Sequence, residues 1–221
     1  MTRKILHISL MIIGFIILTS KSCEPDTDID QEARLKAEKE SALKEIKNDF
    51  ESDYLGETQL MAYGEKAKQK LFDFADYLSL YSGKNIDTLF KQQVKDMIGR
   101  LFYNHDAIVQ LPVFPAYRAR NKKSNLTDLF CSIDASRYKS IAFAVSDLKT
   151  IEPFHLVNGE RYSGKIGCCF NITGITQNDT TLLYKTFNQV NIIATRTSKQ
   201  FGSGTSLLIW QVFLVDVVVA N

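Results

Sequence analysis

Catalytic signatures are what this sequence has least of. It holds no G-x-S-x-G elbow, no H-E-x-x-H pair and no phosphate-binding glycine loop, the arrangements that set up a nucleophile, a metal or a nucleotide phosphate. Of its three histidines, His7 lies in an apolar leader, which leaves His105 and His155, and no C-x-x-C occurs. A zinc site draws on several such ligands at close spacing, so no metal and no cofactor is expected. His105-Asp106 is the one adjacent base and carboxylate and reads as the end of a helix; no catalytic residue is assigned. A basic excess is missing too. Lys and Arg total 27 against 25 Asp and Glu, and Arg3, Lys4 and Lys21 all fall in the leader, so the rest of the chain is close to neutral. Without a basic field, nucleic acid is not an expected partner. The longest apolar run, residues 5–19, is about 15 residues, short of the roughly 20 that a bilayer-spanning helix needs. No internal repeat occurs.

What is present first is an address. Arg3 and Lys4 precede the apolar run, which His7, Ser9 and Gly14 interrupt, and Ser20-Lys21-Ser22 offers the small-x-small pattern that a signal peptidase reads. Cys23 follows directly. Residues 1–30 resemble the signal peptide of a bacterial lipoprotein. The resemblance implies cleavage before Cys23, lipid attachment to Cys23 and residence at the outer membrane, facing the periplasm or the cell surface. That family prefers Leu three residues before the cysteine and a small residue two before; here Ser20 and Lys21 hold those places, and Leu18 is the nearest apolar residue. Ordinary secretory cleavage at the same bond, with Cys23 a free thiol, therefore stays open. Glu24-Pro25-Asp26-Thr27-Asp28-Ile29-Asp30 is too polar to pack by itself and reads as a tether. The expected division is a signal peptide at 1–22, an acidic tether and the start of an exposed helix at 23–39, and one α+β domain at 40–221, long enough to bury its own core.

Residues 29–55 are charged and helix-forming, with Glu and Lys at spacings of three and four and an apolar stripe only at Leu43, Ile46, Phe50 and Tyr54. Gly56 breaks the run. Thr58 is placed to cap a second helix whose face is Leu60, Gly64, Ala67, Leu71, Phe74 or Ala75, and Leu78, widened by Phe72, Tyr77 and Tyr81 and ending near Gly83. Asp87 caps a third, with Phe90, Val94, Met97 and Leu101 inward. Residues 107–114 suit a short strand stopped by Pro112 and Pro115. Arg118, Arg120, Lys122 and Lys123 then form the one dense basic patch in the sequence, a candidate contact for an anion or an acidic partner, with a solvated loop as the plain alternative. Ser124 is placed to cap a short helix over 125–133.

Beyond Tyr138 the pattern alternates. Ile141, Phe143 and Val145 share one parity, as do Ile166, Cys168, Phe170 and Ile172, and then Leu182, Tyr184, Val190, Ile192 and Ala194. Residues 207–219 are apolar on both parities and read as buried on both faces. His155, behind Pro153, is placed in a turn. Turn residues at Asn158-Gly159, Gln177-Asn178-Asp179 and 202–204 make short connections, so an antiparallel meander is expected. Cys131, Cys168 and Cys169 read as buried small hydrophobes. The adjacent pair Cys168 and Cys169 must face opposite ways in a strand, and a bridge from Cys131 to one of them is the alternative.

Helices, a short strand, a further helix and four long strands over residues 40–219 form an order that resembles the cone-shaped folds of the nuclear-transport-factor-2 and ketosteroid-isomerase type. That resemblance implies a curved antiparallel sheet wrapped on N-terminal helices, a cavity between them and a homodimer paired through the sheet. In isomerases of that type a pocket Asp serves as base; no residue here can be given the role from sequence. The expected function is a lipid-anchored, non-catalytic binding module of the cell envelope with an unidentified small-molecule or protein partner. The alternatives are a structural subunit of an envelope assembly and a pocket enzyme.

Overall fold

Helical periodicity followed by alternation builds an α+β fold in the computed structural model, which describes residues 36, 54–111, 124–201 and 205–220. The chain divides into two compact units, Met1–Asn48 and Asp49–Asn221. In the first only Lys36 is described, exposed and helical. The second contains α1 (Glu57–Tyr81), α2 (Thr88–Leu101), α3 (Leu126–Asp134), β1 (Ser140–Asn158), β2 (Arg161–Ile175), β3 (Thr180–Phe201) and β4 (Thr205–Val219). The strands form one antiparallel sheet in the order β1-β2-β3-β4, a meander, as the short connections require.

Helix α1 starts two residues earlier than Thr58 would place it. The Gly56 N–H donates to Gln59 Oε1 at 2.8 Å, and Thr58 lies inside the helix. Its buried stripe is Tyr63, Ala67, Leu71, Phe74, Ala75, Leu78 and Tyr81, spaced three and four residues apart. Asp87 does cap α2, accepting from the Leu89 and Phe90 N–H groups at 2.9 and 3.2 Å. The seam it buries, however, is Val94, Ile98 and Leu101, and Phe90 and Met97 remain 44% and 40% exposed. Helix α2 packs chiefly against α1, and a seam against one helix is narrower than a stripe against a sheet. Asn125, not Ser124, caps α3: its Oδ1 accepts from the Asp128 N–H at 2.9 Å, and Asp128 Oδ2 accepts from the Asn125 N–H at 3.2 Å. The Ser124 hydroxyl instead donates to the Val109 carbonyl at 2.7 Å.

Bulges bend the sheet and break simple parity. Ile172 pairs with Tyr184 but Thr173 with Leu182. Leu183 is therefore supernumerary, and Leu182 turns away from the core to 60% exposure. In β4 the pairs Asn191–Asp216 and Ile192–Leu214 leave Val215 extra, which puts Leu214 and Val217 on one face. Its other face, with Ile209, Phe213 and Val218, is only partly covered, so two-sided burial does not hold. The outer edge of β4 is closed by residues 103–110: Tyr103 N–H donates to the Leu214 carbonyl, Gln110 N–H to that of Val217, and Val217 N–H to that of Ile108, at 2.7–2.8 Å. These contacts are parallel bridges, not a full strand, and residues 112–114 lie outside the described part. His155 sits within β1, not in a turn. Proline is tolerated at position 153 because β1 is at the sheet edge and its register slips between Glu152 and His155.

Candidate binding cleft

The C-terminal two-thirds of α1 is sealed onto the sheet, with Leu71, Phe74 and Leu78 fully buried. In the N-terminal third Tyr63 is buried, but Leu60 and Gly64 are only half-buried. Across from them Pro153 and Phe154 occupy the slipped register of β1. Between these two departures opens a cleft of about 360 Å³, with Leu60, Met61, Phe154, Ile166 and Ile192 as its apolar lining, within the range of small-molecule sites. Gly64 lines it as well, and a Cβ added there would meet no atom within 4 Å. Glycine inside a helix costs about 0.5–1 kcal/mol relative to alanine. No close approach requires it here; it leaves the cleft open.

The charges at this mouth are carboxylates: Glu57, Glu65 and Glu152. Lys165 Nζ pairs with Glu152 at 2.7 Å, and that hydrogen bond holds the Glu152 carboxyl below the ordinary carboxylate range. Lys68 pairs with Glu65 at 2.6 Å. Among the described residues Glu57 has no cationic partner, so the mouth keeps a net negative charge. An apolar lining under a negative rim suits a small apolar body bearing a basic group.

Of the residues singled out by sequence, Cys23, Arg118, Arg120, Lys122 and Lys123 lie outside the described part. Cys131, Cys168 and Cys169 are free thiols. Cys168 alone takes the buried role: burial, aided by neighbouring Cys169, pushes its thiol up to about 12. Cys169 faces the other way and is half-buried, and Cys131 is exposed on α3. His105 and Asp106 are exposed beyond α2, the His105 ring near Gly99. His155 is exposed, its Nδ1 3.4 Å from the Pro153 carbonyl. Of these described residues none lines the cleft. Among the described residues no three His, Cys, Asp or Glu side chains could hold a metal ion. The sheet face that carries Cys169 also carries Phe187, which overlies Gly167 with Ile151 beside it and the Lys149 ammonium 4.7 Å from its ring centre.

The resemblance implies a cavity between helices and sheet, but the sequence reading assigned none of its lining residues and missed a polar junction at Asp134. The Tyr81 hydroxyl donates to Asp134 Oδ2 at 2.8 Å, Lys91 donates to Oδ1, and Lys84 Nζ donates to the Asp134 backbone carbonyl at 2.7 Å. The ends of α1, α2 and α3 are thereby tied together. Burial acts to raise the Asp134 pKa, but the hydrogen bonds from Lys91 and Tyr81 and the charges of Lys91 and Lys84 outweigh it and hold the carboxyl below its usual value. Burial, then the bond to Asp134, raises that of Tyr81. Because the folded Asp134 value is depressed, its contribution is fully present above the unfolded pKa, about 3.9, and disappears as pH falls through the folded value. Asp134→Asn is expected to cost about 1 kcal/mol near neutrality, the half-exposed carboxylate being screened by solvent. Thermal melts should show a constant gap to wild type from pH 5 to 8 that closes below about pH 4; a gap unchanged at low pH would show that Asp134 is not charged in the junction.

No protein-family model and no curated protein matches the chain. Among solved structures it is similar to a candidate scytalone dehydratase from Novosphingobium aromaticivorans, with 9% identity, a TM-score of 0.35, and coverage of 74% of this chain and 92% of that one.

Proposed function

We propose that the protein is a non-catalytic binding module of the bacterial cell envelope, held at the outer membrane by lipid on Cys23. In this reading the second unit belongs to the cone-shaped fold of the nuclear-transport-factor-2 type, and the cleft under α1 takes a small apolar molecule carrying a basic group. The supporting observation is the opening at Gly64: an apolar cleft whose titratable lining consists of glutamates at the mouth, two of them already ion-paired.

The test is a variant that fills the cleft without disturbing the fold. Gly64→Phe projects a ring into open space and replaces the weakest helix former in α1, so its melting temperature should equal or exceed that of wild type. Titration with decyltrimethylammonium below its micelle concentration, followed calorimetrically, should show binding to wild type and a loss of at least about tenfold in the variant, about 1.4 kcal/mol. Decanoate, with the opposite charge, should bind more weakly than the ammonium. Equal binding by wild type and Gly64→Phe would rule out the cleft as the site.

A further inference from the structure

At the far end of α1, three cations from different parts of the chain share one surface cleft. Lys84 comes from the α1–α2 connection and Arg137 and Lys139 from the α3–β1 connection. Together with Asn85, Tyr138 and the β2–β3 turn at Thr176 and Gln177, they line a volume of about 360 Å³. About 25 Å of helix separates Gly64 from Tyr81, so this cleft is distinct from the one under α1.

Backbone bonds fix its frame. Lys84 N–H donates to the Lys139 carbonyl at 3.1 Å, Lys139 N–H to that of Ile175 at 2.8 Å, and Thr176 N–H to that of Asp179 at 2.9 Å. Between the two exposed cations Tyr138 is buried, its ring lying where a side chain on Gly174 would have to go: a Cβ there would come within 2.5 Å of it. Arg137 and Lys139 therefore flank an anchored ring, and the guanidinium stands 5.7 Å from the ring centre.

Among the described residues no carboxylate lines the cleft. The acids nearest in sequence are committed elsewhere. Asp134 receives Tyr81 and Lys91, Asp87 caps α2, and Asp179 Oδ1 accepts from the Thr180 N–H at 2.7 Å. Lys84 Nζ donates to the Asp134 backbone carbonyl, and its charge also acts on the Asp134 carboxylate. Among the described residues neither Arg137 nor Lys139 has an ion-pair partner. Three like charges are thus held in one concavity, and among the described residues only Lys84 has a carboxylate acting on it, that of Asp134. A planar guanidinium and two ammonium groups are the donors that match phosphate oxygens, and the amides of Asn85 and Gln177 add neutral donors.

We propose that this cleft binds a phosphate group. The group could come from a soluble phosphomonoester or from a phospholipid headgroup, and the experiment separates the two sources. The first arm follows thermal shift and calorimetry of the full chain with inorganic phosphate and with glycerol phosphate at low ionic strength. The second follows cosedimentation of the Cys23→Ser chain, which has no acyl group to carry it, with phosphatidylglycerol vesicles against phosphatidylcholine vesicles. In each arm the double variant Arg137→Gln, Lys139→Gln is compared with Lys149→Gln, which removes a cation from the outer sheet face. Both sets of positions are exposed, so melting temperatures should match wild type. Saturable binding of either soluble phosphate, weakened at least about tenfold by the double variant and unchanged by Lys149→Gln, supports the site with a soluble source. Binding confined to phosphatidylglycerol vesicles with the same variant pattern supports it with a headgroup source. No binding in either arm, or equal loss in Lys149→Gln, overturns it, as would an unfolded double variant together with a Lys84→Gln chain that folds and binds as wild type does.

Discussion

Replacing Phe74 with alanine is expected to remove about 3–5 kcal/mol of stability, the lost transfer energy of a buried ring plus the cavity left behind. Phe74 is fully buried where α1 meets the sheet. Its ring meets Phe102 edge-on at 5.2 Å and Phe170 at 6.3 Å, with interplanar angles of 81° and 79°. One side chain thus joins α1, the end of α2 and the middle of β2, three pieces that cannot all close around the void. Against a total of about 5–15 kcal/mol for a typical domain, such a loss is large. The control lies two residues away. Phe72 is 41% exposed, because positions two apart on a helix fall on nearly opposite sides, and Phe72→Ala should change stability by less than about 0.5 kcal/mol. Urea unfolding with an unchanged slope should move the midpoint strongly for the first variant and barely for the second. Comparable shifts for the two would mean that α1 is rotated on the sheet.

The same contrast shows what the sequence could and could not reveal. The inward run Ala67, Leu71, Phe74, Leu78 was legible because a long helix against a sheet buries a stripe that only one rotation satisfies. On α2 the stripes Phe90-Val94-Met97-Leu101 and Val94-Ile98-Leu101 share two members, and periodicity does not choose between rotations that differ by one side chain's width. The four-strand meander was legible from parity and turn residues, but parity assumes an unbroken register. In Leu182-Leu183-Tyr184 nothing local marks Leu183 as the extra residue, since the slip is decided by pairing with Ile172 and Thr173 on the neighbouring strand. The residues that line the clefts were illegible for a related reason. Gly64 and Pro153 each carry a signal, an isolated glycine in a helix and a proline in an edge strand, yet only the fold sets them opposite each other. Arg118, Arg120, Lys122 and Lys123 drew notice by crowding in sequence. Lys84, Arg137 and Lys139 crowd in space, which no linear pattern displays.

Replacing Cys23 with serine is expected to move the protein wholly from the membrane fraction to the soluble one. Serine keeps the size of the side chain but offers no thiol for acylation, so the loss is all or none. The resemblance of residues 1–30 implies a diacylglyceryl group on the sulfur and a further acyl chain on the new amino terminus. Each buried methylene contributes about 0.8 kcal/mol, and one chain alone holds a protein only marginally, whereas two or more hold it firmly. Among the described residues no helix is long and apolar enough to cross a membrane, and in the proposed reading the run at residues 5–19 is removed by the cleavage that exposes Cys23. In that reading retention rests on the acyl groups. Intact-mass spectrometry of protein extracted from native membranes should find a chain beginning at Cys23 with the combined mass of those groups, and fractionation of Cys23→Ser should find the protein soluble. A serine variant that still sediments with the envelope would place the anchor elsewhere. An unmodified chain beginning at Cys23 would make this an exported soluble protein with a free thiol, and the cleft under α1 would then have to capture its ligand away from the membrane surface.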